Sequence, residues 1–342
     1  MNAQVGLVVG NFMRKELDLS IHKTLRYIVD FGMTCYMFVL GLEMDPCVLF
    51  KAPTRDAKVA YAGMISTLIL ACSTIPFISF SKSKEISFIL SLSTVLSSTA
   101  SPVLTRLITN LKIGRSDIGR LVIAAGMHSD FISTLAICIG YLFCQCQETR
   151  LSIINGFQLG FVLLIQMIMA AKVSPIFMNW VNNENPEGKP MKGPHLVLAV
   201  AFMAFLCCCP TIFGYNPTLS AFLAGTFLPR EGRVSRWAIG KINYLLTTVF
   251  YPIFFFWMGV ESKLSDFEPG QIITWVRLLL LFAIVTVGKV VGTVIAGAIL
   301  GFHWPESVAL GLLLTMKGHF HIYLAISAKI VSTLAQGFTT FC

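Results

Sequence analysis

Asp130 sits in the run Ala124-Ala125-Gly126-Met127-His128-Ser129-Asp130-Phe131, whose other members are mostly small or apolar. In an apolar medium an ionised carboxylate costs upward of about 2.5 kcal/mol unless it is paired, hydrated or protonated. Such a group can hold a proton and a cation in turn, which is proton-coupled ion chemistry. A second reading has the same aspartate capping free amides of a broken helix. Lys289, in Val287-Gly288-Lys289-Val290-Val291-Gly292, is a candidate charge partner for Asp130. Lys317, in Thr315-Met316-Lys317-Gly318-His319, has the type and setting to hold carbonyls or a helix end. The run Ser97-Ser98-Thr99-Ala100-Ser101-Pro102 adds hydroxyls and, at the proline, an interrupted backbone. Pro102 has no amide proton and disfavours helical geometry at Ser101. Freed carbonyls and hydroxyls are hard oxygen ligands that suit a small cation. His128, next but one to Asp130, is a candidate proton relay. His319 and His321 do not make a zinc set with it, because zinc wants clustered nitrogen or sulfur ligands.

These residues need elements that hold them away from water, and composition says what those are. Hydrophobic residues make up 55% of the 342 and charged residues 13%, and mean hydropathy is +0.75. A soluble domain carries about a quarter charged residues. One soluble core of this length could not hide that much apolar surface. The apolar residues come in long blocks, and about 20 in a row cross a bilayer. The chain is therefore read as an all-α polytopic membrane protein. The ten cysteines sit mostly inside these blocks and suggest packing rather than a disulfide framework. The net charge of +9 concentrates in short loops, which fits membrane topology and not a nucleic-acid partner.

About ten spans are expected, over residues 24–44, 57–80, 86–108, 118–144, 153–178, 196–213, 216–228, 242–260, 272–300 and 307–332. The polar stretch 182–192 is the clearest loop. With the loop after the first span in the cytosol, cytosolic loops hold Lys51, Arg55, Lys58, Lys112, Arg115, Arg120, Lys189, Lys192, Arg230, Arg233, Arg236 and Lys241. The opposite loops hold Lys82, Lys84, Arg150 and Lys263, while Arg14 and Lys15 fall on the other side of the rule. The spans at 86–108 and 307–332 each carry an interruption in mid-membrane. One interrupted segment in each half of the chain is the pointer to a transporter built from inverted repeats.

At these positions the chain resembles the monovalent cation:proton antiporters of the larger, second family, most closely the plant cation/H⁺ exchanger branch. Gly41-Leu42-Glu43-Met44-Asp45 is similar to that branch's exit from an early helix. Ser98-Thr99-Ala100-Ser101-Pro102-Val103-Leu104 resembles its first broken helix, and Ser129-Asp130 falls where the family has Asn-Asp. Gly288-Lys289 with Gly292-Thr293 resembles the lysine-bearing helix, and Met316-Lys317-Gly318 the Thr-Lys-Gly turn of the second broken helix. The resemblance implies an inverted-repeat, sodium/proton-antiporter-like fold with two broken, crossing helices. It implies a homodimer with elevator-like alternating access in an endomembrane or plasma membrane, and no cofactor. Asp130 would alternate between H⁺ and K⁺ or Na⁺, with Ser129, Thr99 and Ser101 in the ion- and proton-binding set. Lys289, Lys317 and Pro102 would be structural or charge partners.

Ser129 replaces an asparagine, so an amide is lost there. A single carboxylate suggests one-for-one, electroneutral exchange. His321 stands where the family often has a glutamate, which makes it a second candidate for the proton relay. Against the family, residues 1–342 read as one transmembrane antiporter domain, incomplete at both ends, with residues 1–12 as a helix remnant and no soluble domain. That reading raises an alternative function, a non-transporting membrane subunit that pairs with a full-length exchanger. A channel would need a filter loop of stacked carbonyls, and an enzyme a second intramembrane carboxylate or a nucleotide motif; neither is recognisable.

Overall fold

The structure, a computed structural model, describes residues 19–44, 55–78, 86–145, 150–186, 192–229, 232–261 and 272–324. The described residues are helical with short turns, and none is in a β-strand. In chain order the helices are α1 (Leu19–Glu43), α2 (Arg55–Ile78), α3 (Ile86–Ser97), α4 (Ser101–Asn110) and α5 (Asp117–Gln145). They continue with α6 (Arg150–Ile168), α7 (Ser174–Glu184), α8 (Gly193–Cys208), α9 (Pro217–Phe227), α10 (Arg233–Leu245), α11 (Tyr251–Glu261), α12 (Ile272–Leu300) and α13 (Trp304–Leu313). The chain is helical again over 319–324.

Counted through their turns, seven described stretches are long and apolar enough to cross a membrane, and they match seven of the ten expected spans. The remaining three explain themselves. Residues 86–108 are broken into α3 and α4, 216–228 form the short helix α9, and 307–332 are broken after α13. Residues 1–12, 187–191 and 325–332, which carried the helix remnant, part of the loop and the end of the last span, lie outside the described residues.

The described residues divide into two compact units, one from Met1–Pro46 and Gln145–Gln271, the other from Cys47–Cys144 and Ile272–Cys342. In the first unit α9 is enclosed: every residue from 218 to 226 is buried. Eleven residues give a helix of only about 16 Å, so neighbouring helices must shield its ends. Asn216 caps its start, its Oδ1 accepting from Thr218 N at 2.9 Å. Gln166 of α6 ties the bundle together, its amide nitrogen donating to Leu206 O, Ser220 O and Ser220 Oγ at 2.8–3.0 Å. Helices α1 and α9 cross with their backbones in contact. A Cβ on Gly41 would meet Phe222 O, and one on Gly225 would meet Phe38 O.

The first unit also holds two π-turns, Met169–Val173 and Leu246–Phe250. Each runs into a helix whose second residue is proline, Pro175 in α7 and Pro252 in α11. Proline cannot donate to the carbonyl four residues back and its ring crowds that carbonyl, and a wider turn relieves both faults. The two sites share the pattern Pro-Ile-Phe-x-x-Trp, at 175–180 and 252–257.

In the second unit, α2 and α12 lie against each other along small residues. A Cβ on Gly292 would fall 2.5 Å from Ala62 O, and one on Gly288 would fall 2.8 Å from Thr67 Cα. Two glycines four residues apart give a helix a flat face, the usual route to close packing in lipid, where apolar area alone brings no helices together. This contact fixes α12, and with it Lys289, beside the two broken segments.

Candidate ion-binding site

Both predicted interruptions are present, and within the second unit they meet. The first leaves residues 98–100 outside regular helix between α3 and α4, with Ala100 extended. The second leaves a turn at 314–315 and non-helical backbone at 316–318. Ala100 N donates to Met316 O at 3.0 Å, and Thr99 Oγ1 donates to Leu314 O at 2.8 Å. Gly318 is needed at this crossing, because a Cβ there would lie 2.9 Å from the Ala100 Cβ.

Each break exposes helix ends at a depth where water is scarce, and side chains meet them. The C-terminal end of α3 presents Val95 O, Leu96 O and Ser98 O. The Lys317 ammonium donates to all three, at 3.0 Å and 2.6 Å for the first two. A cation at a helix C-terminus is favourable, and the three ammonium protons have three acceptors. The N-terminal end of α4 receives Asp130. Its Oδ2 accepts from Ser101 N at 3.0 Å and from Ser101 Oγ at 2.7 Å. Pro102 falls in the first turn of α4, where a missing N–H costs nothing. Residue types chosen for ion chemistry thus also complete the broken helices.

Asp130 is buried near the middle of α5, 1% exposed. Its second oxygen, Oδ1, is buried with no hydrogen-bond partner. Beside it, the Thr99 hydroxyl accepts from Lys289 Nζ at 3.0 Å and from Ser129 Oγ at 3.2 Å while it donates to Leu314 O. Both of its lone pairs and its proton are therefore used. Lys289 is wholly buried, yet it makes no ion pair within 4 Å with Asp130. The ion pairs of the described residues lie elsewhere, at Arg26–Asp30, Arg120–Asp117 and Lys192–Glu184. In place of the direct Asp130–Lys289 ion pair expected from sequence, the Lys289 ammonium donates to Thr99, whose hydroxyl also accepts from Ser129, the residue before Asp130.

The structure thus brings together Asp130, Ser129, Thr99, Ser101, Pro102, Lys289 and Lys317. The two histidines read as relays have other hydrogen-bond partners. His128 lies near Tyr61 of α2, Nδ1 to hydroxyl 3.5 Å, because residues two apart on a helix face opposite ways. His321 accepts from Gly318 N at 3.3 Å through Nδ1, a backbone partner rather than a carboxylate. Sequence reasoning missed three features. Lys317 finds its carbonyls more than 200 residues back in the chain, which no local pattern reports. The imidazole acceptor three residues after Gly318 has the spacing of a capping box and was legible as such. Gln166, a lone amide in an apolar run, was legible as an interhelical tie.

Known proteins resemble this chain in sequence and fold. The family model described as "Sodium/hydrogen exchanger, transmembrane" matches residues 3–337. Cation/H(+) antiporter 28 of Arabidopsis thaliana is 50% identical over 333 residues, covering 95% of this chain and 42% of that protein. The K(+)/H(+) antiporter 1 of Saccharomyces cerevisiae is 22% identical over 340 residues, covering 95% of this chain and 38% of the relative. The chain thus spans about two-fifths of the length of these curated relatives. Among solved structures, the sodium proton antiporter MjNhaP1 from Methanocaldococcus jannaschii superposes with TM-score 0.64 at 12% identity, over 98% of this chain and 82% of that one. That likeness shows the fold, an antiporter fold with two broken, crossing helices, and the resemblance read from the motifs holds. This integral, multi-pass membrane chain belongs to the sodium/hydrogen exchanger family.

Proposed function

We propose that the chain exchanges a monovalent cation, K⁺ or Na⁺, for H⁺ by alternating access, one for one, with Asp130 carrying the proton and the cation in turn. The observation that carries this reading is the state of Asp130: one oxygen bound to the start of α4, the other buried without a partner. A buried oxygen of that kind is a costly acceptor, and either a proton or a cation would satisfy it. The names of the relatives, cation/H(+) and K(+)/H(+) antiporters, support the same substrates.

Around that oxygen, Ser101 and Ser129 supply hydroxyls and the crossing breaks supply carbonyls. Thr99 can ligate a cation only by giving up Lys289 or Ser129, since its lone pairs are already taken. An arriving cation and the Lys289 ammonium therefore compete for one hydroxyl, as two positive charges placed close together must. The homodimer implied by the motifs belongs to this proposal.

The test is exchange in proteoliposomes under an imposed pH gradient, with K⁺, Na⁺ and Li⁺ added in turn to the wild type and to Asp130→Asn. Cation-dependent proton movement in the wild type should disappear in the variant. A correctly folded wild type that moves no protons with any of the three cations would overturn the antiport reading.

A further inference from the structure

The second break restarts as helix at 319–324, and its first turn is held by an unusual residue. Gly318 O accepts from His321 N at 3.1 Å and from Ile322 N at 3.4 Å, which makes Gly318 the N-cap residue. Three positions on, His321 Nδ1 accepts from Gly318 N at 3.3 Å. This is the return half of a capping box, ordinarily made by a glutamate or glutamine at that position. His321 is buried, 5% exposed, so water does not compete freely for the bond.

An imidazole makes this bond in one form alone. Nδ1 must carry a lone pair, so the proton sits on Nε2. Once doubly protonated, the ring presents Nδ1–H to Gly318 N–H, donor against donor. The bond is lost and the two groups repel. The consequence reaches beyond one turn, because the residues next to Gly318 hold the crossing. Met316 O accepts from Ala100 N, and Lys317 gathers the carbonyls at the end of α3. The titratable groups whose charge acts on the imidazole are Lys317 and His319 on its own segment and Lys289 on α12.

We propose that His321 is a positioning residue of the ion site, whose neutral imidazole closes a capping box on Gly318 and whose protonation opens it, loosening residues 316–318 against the first break. This device would let acid on the accessible side slow a transporter through its backbone rather than through the carboxylate that carries the ion. Its effect on exchange rests on the antiport reading, whereas its effect on the backbone does not.

Amide hydrogen exchange of the whole chain, followed by mass spectrometry over residues 316–322, separates the two. Comparing wild type, His321→Gln and His321→Leu, we expect the glutamine to keep the protection of the wild type. The leucine should speed exchange roughly tenfold, the factor that goes with losing one buried hydrogen bond. After correction for intrinsic rates, wild-type protection should fall on acidification and that of His321→Gln should not. In proteoliposomes the fall of exchange on acidification should be shallower in His321→Gln than in wild type, with the competition of H⁺ and cation at Asp130 remaining in both. Equal acid sensitivity of wild type and His321→Gln in the hydrogen-exchange arm would overturn the proposal, even if His321→Leu fails to fold. A chain that passes that arm but exchanges no cation would sink the antiport reading and leave the capping box standing.

Discussion

The two breaks solve the same problem with different chemistry. The first is met by full charges, the Lys317 ammonium on the end of α3 and the Asp130 carboxylate on the start of α4. The second is met by neutral groups, the Thr99 hydroxyl on Leu314 O, the Ala100 amide on Met316 O and the His321 ring on Gly318 N. Each break takes its partners largely from the other. A charge at membrane depth is stable only while its counter-dipole stays in place, so the first break is the more demanding. The neutral break is the frame against which it works.

That contrast can be broken by substitution. The largest effect is expected at Lys317→Met, which strips a cation from three carbonyls; we expect a loss of about 3 kcal/mol in denaturant unfolding in detergent, since bonds to charged groups are each worth about 1.5–3 kcal/mol and relief of the buried ammonium's desolvation offsets part of the three. Thr99→Val should cost about 2 kcal/mol by the same measurement, because Lys289, Ser129 and Leu314 O all lose a neutral hydroxyl partner. If Thr99→Val proves as costly as Lys317→Met, the distinction between charged and neutral breaks fails. Gly318→Ala forces the crossing apart and should cost about 1–2 kcal/mol, as overpacking generally does, with slower cation exchange than wild type. The smallest effect lies in the first unit. Asn216→Ala removes the cap of α9 for about 1 kcal/mol and should leave the cation dependence of exchange unchanged; a change there would mean that the ion site is not confined to the second unit.

The breaks were legible because they interrupt apolar runs with residues that cannot be explained by lipid, Pro102 with its hydroxyls and Lys317 with Gly318. Asp130 and Lys289 were legible for the same reason, as charges in apolar surroundings. Their geometry was not legible. Whether Lys289 touches Asp130 or stops at Thr99 depends on how α12 seats on α2, and that is decided by Gly288 and Gly292 against backbone atoms of a helix more than 200 residues away. For His128, nearness in sequence was taken for nearness in space; it is two residues from Asp130, and its Nδ1 lies 3.5 Å from the Tyr61 hydroxyl. The π-turns escaped because proline was read only as a breaker. A pattern repeated at 175–180 and 252–257 would have announced one local solution used twice.

The glycine contacts carry a consequence for genetics. At Gly41, Gly225 and Gly292 an added methyl would strike a carbonyl oxygen of the opposite helix. No replacement of a neighbouring side chain removes a backbone atom, so lesions at these three positions should yield no second-site suppressors within their contact partners. Gly318 is different, since its methyl would strike the Ala100 side chain. Ala100→Gly should rescue Gly318→Ala. The two kinds of glycine would then leave different traces as such chains diverge, one invariant and silent, the other drifting in step with its partner.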